Sequence, residues 1–365
     1  MRIEKAKETL SARERVRRTF AFEKTDRVTI GYEANPIIHG RLCQALGIAP
    51  DNRDELYQAL GVDYVGVSAP YVGPQLFPDR PNRRVNALEG CYMRYVPNDS
   101  GGYWDFCDFP LQGASDELFA RYPIPDPDCF DYGAARERAR SLSGPYALYA
   151  GGAGTPDIIN SNGRIMGMED VLIHLATGDE AALDFMQRRA QSQFEVLERT
   201  LEACKGYIDF VWLGEDLGSQ HAPLISLALY RQRMKSTHQM FVDLARQHGL
   251  PVMIHSCGSS SWVYEDWIAM GVTGVDSLQP EARDMDARTL VQRFGGRLTL
   301  RGLISTGGPL AFGTKEDITA CVRDTLATVM PVRGYHFAPA HALQDNTPVA
   351  NIVAMYQAAH QYGIY

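Results

Sequence analysis

The sequence has no long hydrophobic run, and no stretch approaches the roughly 20 apolar residues that a membrane-spanning helix needs. The opening segment, MRIEKAKETLSARERVRR, lacks the apolar core of a secretory signal peptide. Basic tracts are also missing, and with 36 Lys and Arg against 44 Asp and Glu the formal net charge is −8. We therefore expect a protein that neither spans nor coats a membrane and that does not bind nucleic acid.

Two further absences narrow the class of protein. The seven cysteines are odd in number and scattered, which does not suit a disulfide framework and predicts reduced thiols in a cytoplasmic protein. No Gly-x-Gly-x-x-Gly motif follows an early strand, so a dinucleotide-binding Rossmann fold is disfavoured. There is also no internal repeat.

What the chain does contain is a regular alternation of short apolar runs and helical stretches, most clearly after residue 145. Alternation of this kind predicts a mostly parallel sheet, and eight such runs would close a (β/α)8 TIM barrel over residues 1–365. An open doubly wound sheet is the alternative. The predicted strands are Val28–Tyr32, Tyr64–Val67, Tyr146–Ala150, Tyr207–Leu213, Val252–Ile254, Gly274–Leu278, Leu298–Leu300 and Tyr335–Ala338.

Two segments depart from this pattern. Residues 70–133 are rich in proline and aromatic residues and show little periodicity, which predicts an irregular insertion packed on the barrel. Residues 7–23 predict a helix with a capping box formed by Ser11 and Glu14. Its arginines, at 13, 15, 17 and 18, are expected to form the solvated face of that helix.

Polar residues follow five of the predicted strands, and the carboxyl ends of strands are where a barrel carries its chemistry. The sharpest element is His255-x-Cys257. Residues two apart on an extended strand face the same side, so an imidazole and a thiol are expected to point together. Zinc accepts mixed nitrogen and sulfur ligands, whereas the alternative is a packed strand end with a free thiol.

A third zinc ligand would have to come from another strand end, and His341 and Glu215 are the candidates. The pair Glu215-Asp216 could instead be an acidic pair at a helix start. His341 lies in an irregular stretch after a strand and is either exposed or directed at the site. We predict Glu215, Asp216, Gln279 and His341 as catalytic residues, with Glu215 or Asp216 as ligand, general acid or base, or partner of a ligand.

These residues also carry a resemblance to a known family. The sequence resembles the uroporphyrinogen decarboxylase superfamily, which includes corrinoid-dependent methyltransferases, over most of residues 10–365 and most strongly from residue 205. That resemblance implies a β/α barrel, and members are often dimers. The matching segments are Asp26-Arg27-Val28, Glu215–Gln220 with Pro223–Ser226, His255–Ser259, Gly274–Pro280, Ala338–His341, Asn346–Pro348 with Asn351, and Tyr362-Gly363-x-Tyr365.

Two parts of the sequence indicate which branch of the superfamily the chain resembles. The decarboxylases carry an arginine-rich segment near the amino terminus that holds a polycarboxylate substrate, whereas this chain has Gly31–Pro36 with a glutamate and no arginine. The methyltransferases use a His-x-Cys pair and a late cysteine as zinc ligands. This chain matches His255 and Cys257, but it has His341 at the late position, as the decarboxylases do.

The resemblance therefore implies a zinc-dependent methyltransferase that moves a methyl group between a small substrate and a corrinoid protein or thiol. The superfamily acts on methanol, amines, aryl ethers and halomethanes. No Asp-x-His-x-x-Gly cobalamin-binding segment is present, so a separate partner protein would carry the corrinoid. The alternatives are a decarboxylase acting on a tetrapyrrole or smaller carboxylate and a binding member of the fold without catalysis.

Overall fold

A computed structural model describes all 365 residues, Met1–Tyr365, and contains eleven strands in two sheets. Eight of the strands form one parallel sheet in the order β1-β11-β10-β9-β8-β7-β6-β2, and the other three form an antiparallel sheet in the order β3-β4-β5. The strands are β1 (Thr29–Ile30), β2 (Tyr64–Val67), β3 (Arg84–Val85), β4 (Tyr92–Asn98), β5 (Gly101–Cys107), β6 (Ala147–Pro156), β7 (Phe210–Gly214), β8 (Val252–His255), β9 (Gly274–Leu278), β10 (Thr299–Ile304) and β11 (Tyr335–Pro339).

The eight parallel strands form a nearly closed barrel, as the sequence predicts. The two end strands, β1 and β2, are joined through Asp63 rather than through a full ladder. Its backbone N–H donates to the Ile30 carbonyl at 2.8 Å, and its carboxylate accepts the Ile30 N–H at 2.7 Å. One carboxylate thus replaces the backbone pairing that would otherwise close the barrel.

Helices connect the strands and pack outside the barrel. Two of them, Ala287–Phe294 and Lys315–Val329, have the limits that the sequence predicts, and the other predicted helices are present with altered limits. The sequence pattern predicts one helix over Leu227–His248, but the structure has two, Leu227–Arg233 and Lys235–Gln247, because Met234 leaves helical geometry with a φ of −122°. No helix combines the length and the apolar character that crossing a bilayer requires. The helices are α1 (Ala12–Phe20), α2 (Pro36–Leu46), α3 (Arg53–Leu60), α4 (Asp116–Arg121), α5 (Tyr132–Leu142), α6 (Ile158–Met166), α7 (Met168–Thr177), α8 (Glu180–Ala203), α9 (Leu227–Arg233), α10 (Lys235–Gln247), α11 (Tyr264–Met270), α12 (Ala287–Phe294), α13 (Pro309–Phe312), α14 (Lys315–Val329) and α15 (Val349–Tyr362).

Helix α1 corrects two expectations about residues 7–23. It begins only after Ser11, whose hydroxyl caps the Glu14 N–H at 3.1 Å, so residues 7–11 are not helical. The four arginines do not all lie on a solvated face as expected: the side chains of Arg17 and Arg18 are 54% and 39% exposed, but the other two face the barrel. Arg15 is 1% exposed and pairs with Asp26 and Asp63, and Arg13 pairs with the buried Asp209 at 2.7 Å. A helix face of charged residues looks the same in sequence whether water or buried carboxylates lie opposite it.

Aromatic side chains fill the barrel interior next to α1. Phe20 lies 5.2 Å from Phe210 and 4.8 Å from His336, measured between ring centroids. Tyr64 and Trp212 continue this inner cluster, which is separate from the larger core between the barrel wall and the helices. The interior is therefore packed on this side.

The segment 70–133 contains the antiparallel sheet and α4, joined by irregular chain. The hairpin of β4 and β5 contacts α2 near its turn, where Arg41 donates to the Ser100 carbonyl at 2.9 Å. Phe106, nearer the base of the hairpin, lies under the guanidinium of Arg164 on α6 at 5.5 Å. The hairpin therefore extends between the helices that follow β1 and β6.

Candidate metal centre

Three side chains from two strand ends form a compact cluster at one end of the barrel. His255 ends β8, Cys257 follows it two residues later, and His341 follows β11. One potential ligand atom from each of the three lies within 4.8 Å of the others. Cys257 Sγ lies 3.3 Å from His255 Nε2. Of the two candidates for a third ligand, the structure thus brings His341 to the pair.

Two glycines allow the loops that carry this cluster to approach each other closely. Gly258 has a φ of +69°, and a Cβ there would lie 2.3 Å from the Gly218 carbonyl oxygen. A Cβ at Gly218 would in turn lie 2.5 Å from the Ser259 nitrogen. Any larger residue at either position would push the loop after β7 away from the loop after β8.

A carboxylate behind His255 fixes the orientation of its ring. Asp276 on β9 lies 2.8 Å from His255 Nδ1, which leaves Nε2 directed at the cysteine. Asp276 also pairs with Arg301 on β10, and Arg301 reaches Glu33 at 2.9 Å. This arrangement, in which a carboxylate holds the second nitrogen of a histidine, is the usual support for a metal-binding imidazole.

Electrostatics favour the ionised form of the thiol. Burial opposes ionisation of Cys257, but its hydrogen bonds with His255 and His341 outweigh burial and lower the pKa of the thiol. Burial likewise opposes a charge on His255, yet Asp276 and Cys257 raise the pKa of that imidazole. Burial would raise the pKa of Asp276, but Arg301 and His255 lower it to about 2. A thiolate is the form of cysteine that binds a metal ion.

The predicted catalytic acids lie in two different environments. Asp216 borders the cluster: one oxygen accepts the Cys257 backbone N–H at 2.6 Å and lies 3.8 Å from His255 Nε2. Its other oxygen accepts from Asn160 at 2.7 Å. Asp216 therefore ties the first turn of α6 to the loop that carries Cys257.

Glu215 is fully buried and outside the cluster. Its two oxygens accept the backbone N–H groups of Ile158 and Ile159 at 2.7 and 2.9 Å, and His238 lies 3.1 Å away. An anion at a helix start satisfies unpaired N–H groups and the positive end of the helix dipole. Glu215 does this for α6, which precedes it in the chain, and not for the helix that follows.

The last predicted catalytic residue, Gln279, follows β9 and supports the cysteine loop. Its side-chain oxygen accepts the Gly258 N–H at 2.8 Å and lies 3.3 Å from the amide nitrogen of Gln220. Gln279 thus links the loops after β7, β8 and β9 at the edge of the cluster.

A family model for uroporphyrinogen decarboxylase (URO-D) matches residues 159–362, which is more than half of the chain and includes the whole cluster. The chain belongs to the uroporphyrinogen decarboxylase family. Within solved structures, a methyltransferase from Methanosarcina mazei superposes with a TM-score of 0.61 at 18% identity, covering 97% of this chain and 99% of that one. That likeness supports the barrel fold. No curated protein matches the sequence.

Four residues around the cluster were not predicted from the sequence as site residues. They are Asn160, Asp276, Ser277 and Arg301. Ser277, with a φ of +63°, places its hydroxyl 3.3 Å from Cys257 Sγ. The available signal was a polar residue inside an apolar strand, as with Asp276 in Gly274–Leu278 and Arg301 in Leu300–Ile304. A charged residue within a buried strand needs a partner, and in a barrel that partner lies on a neighbouring strand.

Proposed function

We propose that this protein is a zinc-dependent methyltransferase that exchanges a methyl group between a small substrate and a corrinoid carried by a separate protein. The observation that carries the proposal is the convergence of His255, Cys257 and His341 with a carboxylate behind the first of them. Two imidazoles and a thiolate form a donor set that suits zinc, and three protein ligands leave one position open for a substrate.

The spacing of the donor atoms fits this metal. In a tetrahedral zinc site, neighbouring nitrogen and sulfur ligands lie roughly 3.3–3.6 Å apart. Cys257 Sγ and His255 Nε2 are already 3.3 Å apart, and His341 is within 4.8 Å of both.

Zinc at this position would lower the pKa of a bound substrate heteroatom, which favours a thiolate as methyl acceptor or stabilises the anion left when a methyl group departs. The protein's own residues orient the ligands and exchange a proton with the substrate. Asp276 holds His255 with Nε2 forward, and Asp216 is the acid beside the cluster whose carboxylate is partly exposed. Asp216 therefore suits proton transfer to or from the substrate better than the fully buried Glu215.

A decarboxylase acting on a polycarboxylate is less well supported by the charges at this site. The buried guanidinium of Arg301 is fully occupied by Asp276, Glu33 and the Tyr64 hydroxyl. It has no free side with which to bind a substrate carboxylate. The segment Gly31–Pro36 after β1 contains no arginine, and its Glu33 is already paired with Arg301, so this segment offers no cation to a polyanion.

The proposal is tested by methyl transfer to free cob(I)alamin, which replaces the partner protein. The zinc-loaded protein is mixed with methanol, methylamines, aryl methyl ethers and halomethanes in turn, and formation of methylcobalamin is followed by absorbance. We expect one donor class to react, and we expect Cys257→Ser to lower that rate at least 100-fold. Cys321→Ser, a partly buried cysteine on α14, serves as the control and should react normally.

Two results would contradict the proposal. One is consumption of the methyl donor at the same rate when no corrinoid is present. The other is an unchanged rate in Cys257→Ser. A binding member of the fold without catalysis would retain affinity for the donor but transfer no methyl group in any of these reactions.

A further inference from the structure

A pocket separate from the metal cluster lies between α8 and the segment 70–133. Its volume is about 340 Å³, and its walls come from the ends of β2 and β6, one face of α8 and the loops around residues 86–89 and 124–130. None of the residues of the metal cluster lines it. We call this cavity the α8 pocket. Its volume is in the range that small-molecule ligands occupy in proteins.

The α8 pocket contains a single cationic side chain, Arg189, which is only 9% exposed. Its Nη1 donates to the Ser161 carbonyl at 3.0 Å and to the Asn162 side-chain oxygen at 2.6 Å. The other two nitrogens of the guanidinium, Nε and Nη2, donate no hydrogen bond to the protein, and no carboxylate forms a salt bridge with this arginine.

The other deeply buried arginines are all paired with carboxylates. Arg15 pairs with Asp26 at 2.7 Å, Arg27 pairs with Asp63 at 2.6 Å, and Arg301 pairs with Glu33 at 2.9 Å. Burial lowers the pKa of Arg189, whereas the acidic partners of Arg15 outweigh burial and raise its pKa. A buried guanidinium without an anion is costly, and an anionic ligand would remove that cost.

The remaining walls of the pocket contain one acid, Glu89. It pairs with Arg164 at 3.4 Å, and its charge also acts on Arg189, where it opposes the effect of burial on the pKa. Ser192 and Gln193 on α8 are engaged by the Pro125 and Gly154 carbonyls at 2.6 and 3.2 Å. The other lining residues are a mixture of aliphatic and aromatic side chains, including Phe130 and Leu197, and of small polar ones such as Ser68 and Thr155.

We propose that the α8 pocket binds a small molecule that carries one carboxylate and an apolar body, with the carboxylate on Arg189. The two free nitrogens of the guanidinium can meet both carboxylate oxygens, which is the geometry that arginine favours. The apolar body packs against the walls formed by the segment 70–133 and α8. This site is separate from the metal centre, and its occupancy does not depend on the proposed methyl transfer.

The pocket is nevertheless connected to the metal centre through α6. Arg189 holds the carbonyl of Ser161 and the side chain of Asn162, both in the first half of α6. The same helix receives Glu215 at its first two amides, and its Asn160 binds Asp216 beside the cysteine. A ligand on Arg189 would thus bind the side chain that also holds α6, the helix that contacts both site acids.

The test compares matched carboxylates and amides on the wild-type protein. Benzoate, phenylacetate and hexanoate are titrated against benzamide, phenylacetamide and hexanamide, with the melting temperature and calorimetric binding as readouts. We expect at least one carboxylate to bind and to raise the melting temperature, while its amide does not. Equal effects of acid and amide, or no binding by any of the three carboxylates, would overturn the proposal.

Three variants locate the binding site. Arg189→Met should weaken carboxylate binding about tenfold or more, as expected for loss of a charge-assisted pair of hydrogen bonds. Arg189→Lys, which keeps the charge, should fold even if the methionine variant does not, and it should bind with intermediate affinity. The control is Arg188→Met, the neighbouring and more exposed arginine on α8. Undiminished binding in both Arg189 variants would place the carboxylate elsewhere, for example on a metal ion.

Discussion

At the scale of single residues, Asp276 supports the candidate metal centre through His255. It holds His255 Nδ1 at 2.8 Å and is fully buried against Arg301. Asp276→Asn keeps the size of the side chain but weakens this hold, so zinc affinity should fall by about 10–100-fold. Competition with a chromophoric zinc chelator measures the change. Asp284→Asn, exposed in the loop after the same strand, should bind zinc like the wild type; equal affinities in both variants would remove Asp276 from the account.

His336 is a second residue whose burial has a measurable consequence. It lies inside the barrel with Nδ1 2.8 Å from the Thr29 hydroxyl, and its Nε2 has no partner. Burial, assisted by the positive charge of Arg301, lowers the pKa of His336 to about 3. The unfolded chain therefore takes up this proton first as the pH falls below the ordinary histidine value of about 6.5.

This uptake predicts a loss of stability in acid. The contribution of neutral His336 is fully present above pH 6.5 and is lost as the pH falls towards 3, at about 1.4 kcal/mol per pH unit. His336→Phe removes the titrating group, so the fall in unfolding free energy between pH 7.5 and pH 5 should shrink by about 2 kcal/mol. Urea unfolding at both pH values gives the numbers, with the exposed His221→Gln as control. If the unfolding free energy of His336→Phe fell between these pH values as much as that of the wild type, the residue would not be buried as described.

At the scale of elements, the junction between β1 and β2, here called the seam of the barrel, depends on one carboxylate. Asp63 accepts from Arg15, from Arg27 at 2.6 Å and from the Ile30 N–H at 2.7 Å. Asp63→Asn leaves two buried guanidinium groups short of an anion, and removing one partner of a buried ion pair costs about 3–5 kcal/mol. The free energy of unfolding should fall by that amount.

The matched control for the seam is an exposed ion pair. Glu137→Gln breaks the pair with Arg140, in which both side chains are more than half exposed. Exposed pairs contribute about 1 kcal/mol or less, so this variant should unfold like the wild type. A similar small effect of Asp63→Asn would show that the end strands are held by other contacts.

The elements also show what can be predicted from sequence and what cannot. The barrel strands are visible because a parallel strand covered on both faces is a short apolar run, as in Gly274–Leu278. The surroundings of charged side chains were harder to predict. Arg15 lies on a helix face that meets buried acids, and Glu215 serves a helix that precedes it by more than fifty residues. Both depend on tertiary packing, which local patterns do not encode.

For the whole molecule, the site was partly predictable for the same reason. His255 and Cys257 are two apart on one strand, so their common direction follows from the geometry of an extended chain. His341 could be proposed because the barrel brings all strand ends to one edge. The choice between His341 and Glu215 as a neighbour of the pair required the structure. Arg189 gave no sequence signal, because an arginine on a long helix is usually exposed.

The central claim is that this barrel holds one zinc ion on His255, Cys257 and His341. Elemental analysis of the purified protein tests it most directly, alongside His255→Ala, Cys257→Ser and His341→Ala, with Cys321→Ser as the folded control. We expect about one zinc per chain in the wild type and the control, and loss of zinc in the three cluster variants. Absence of zinc from the wild type even after soaking, or full retention in Cys257→Ser, would contradict the account.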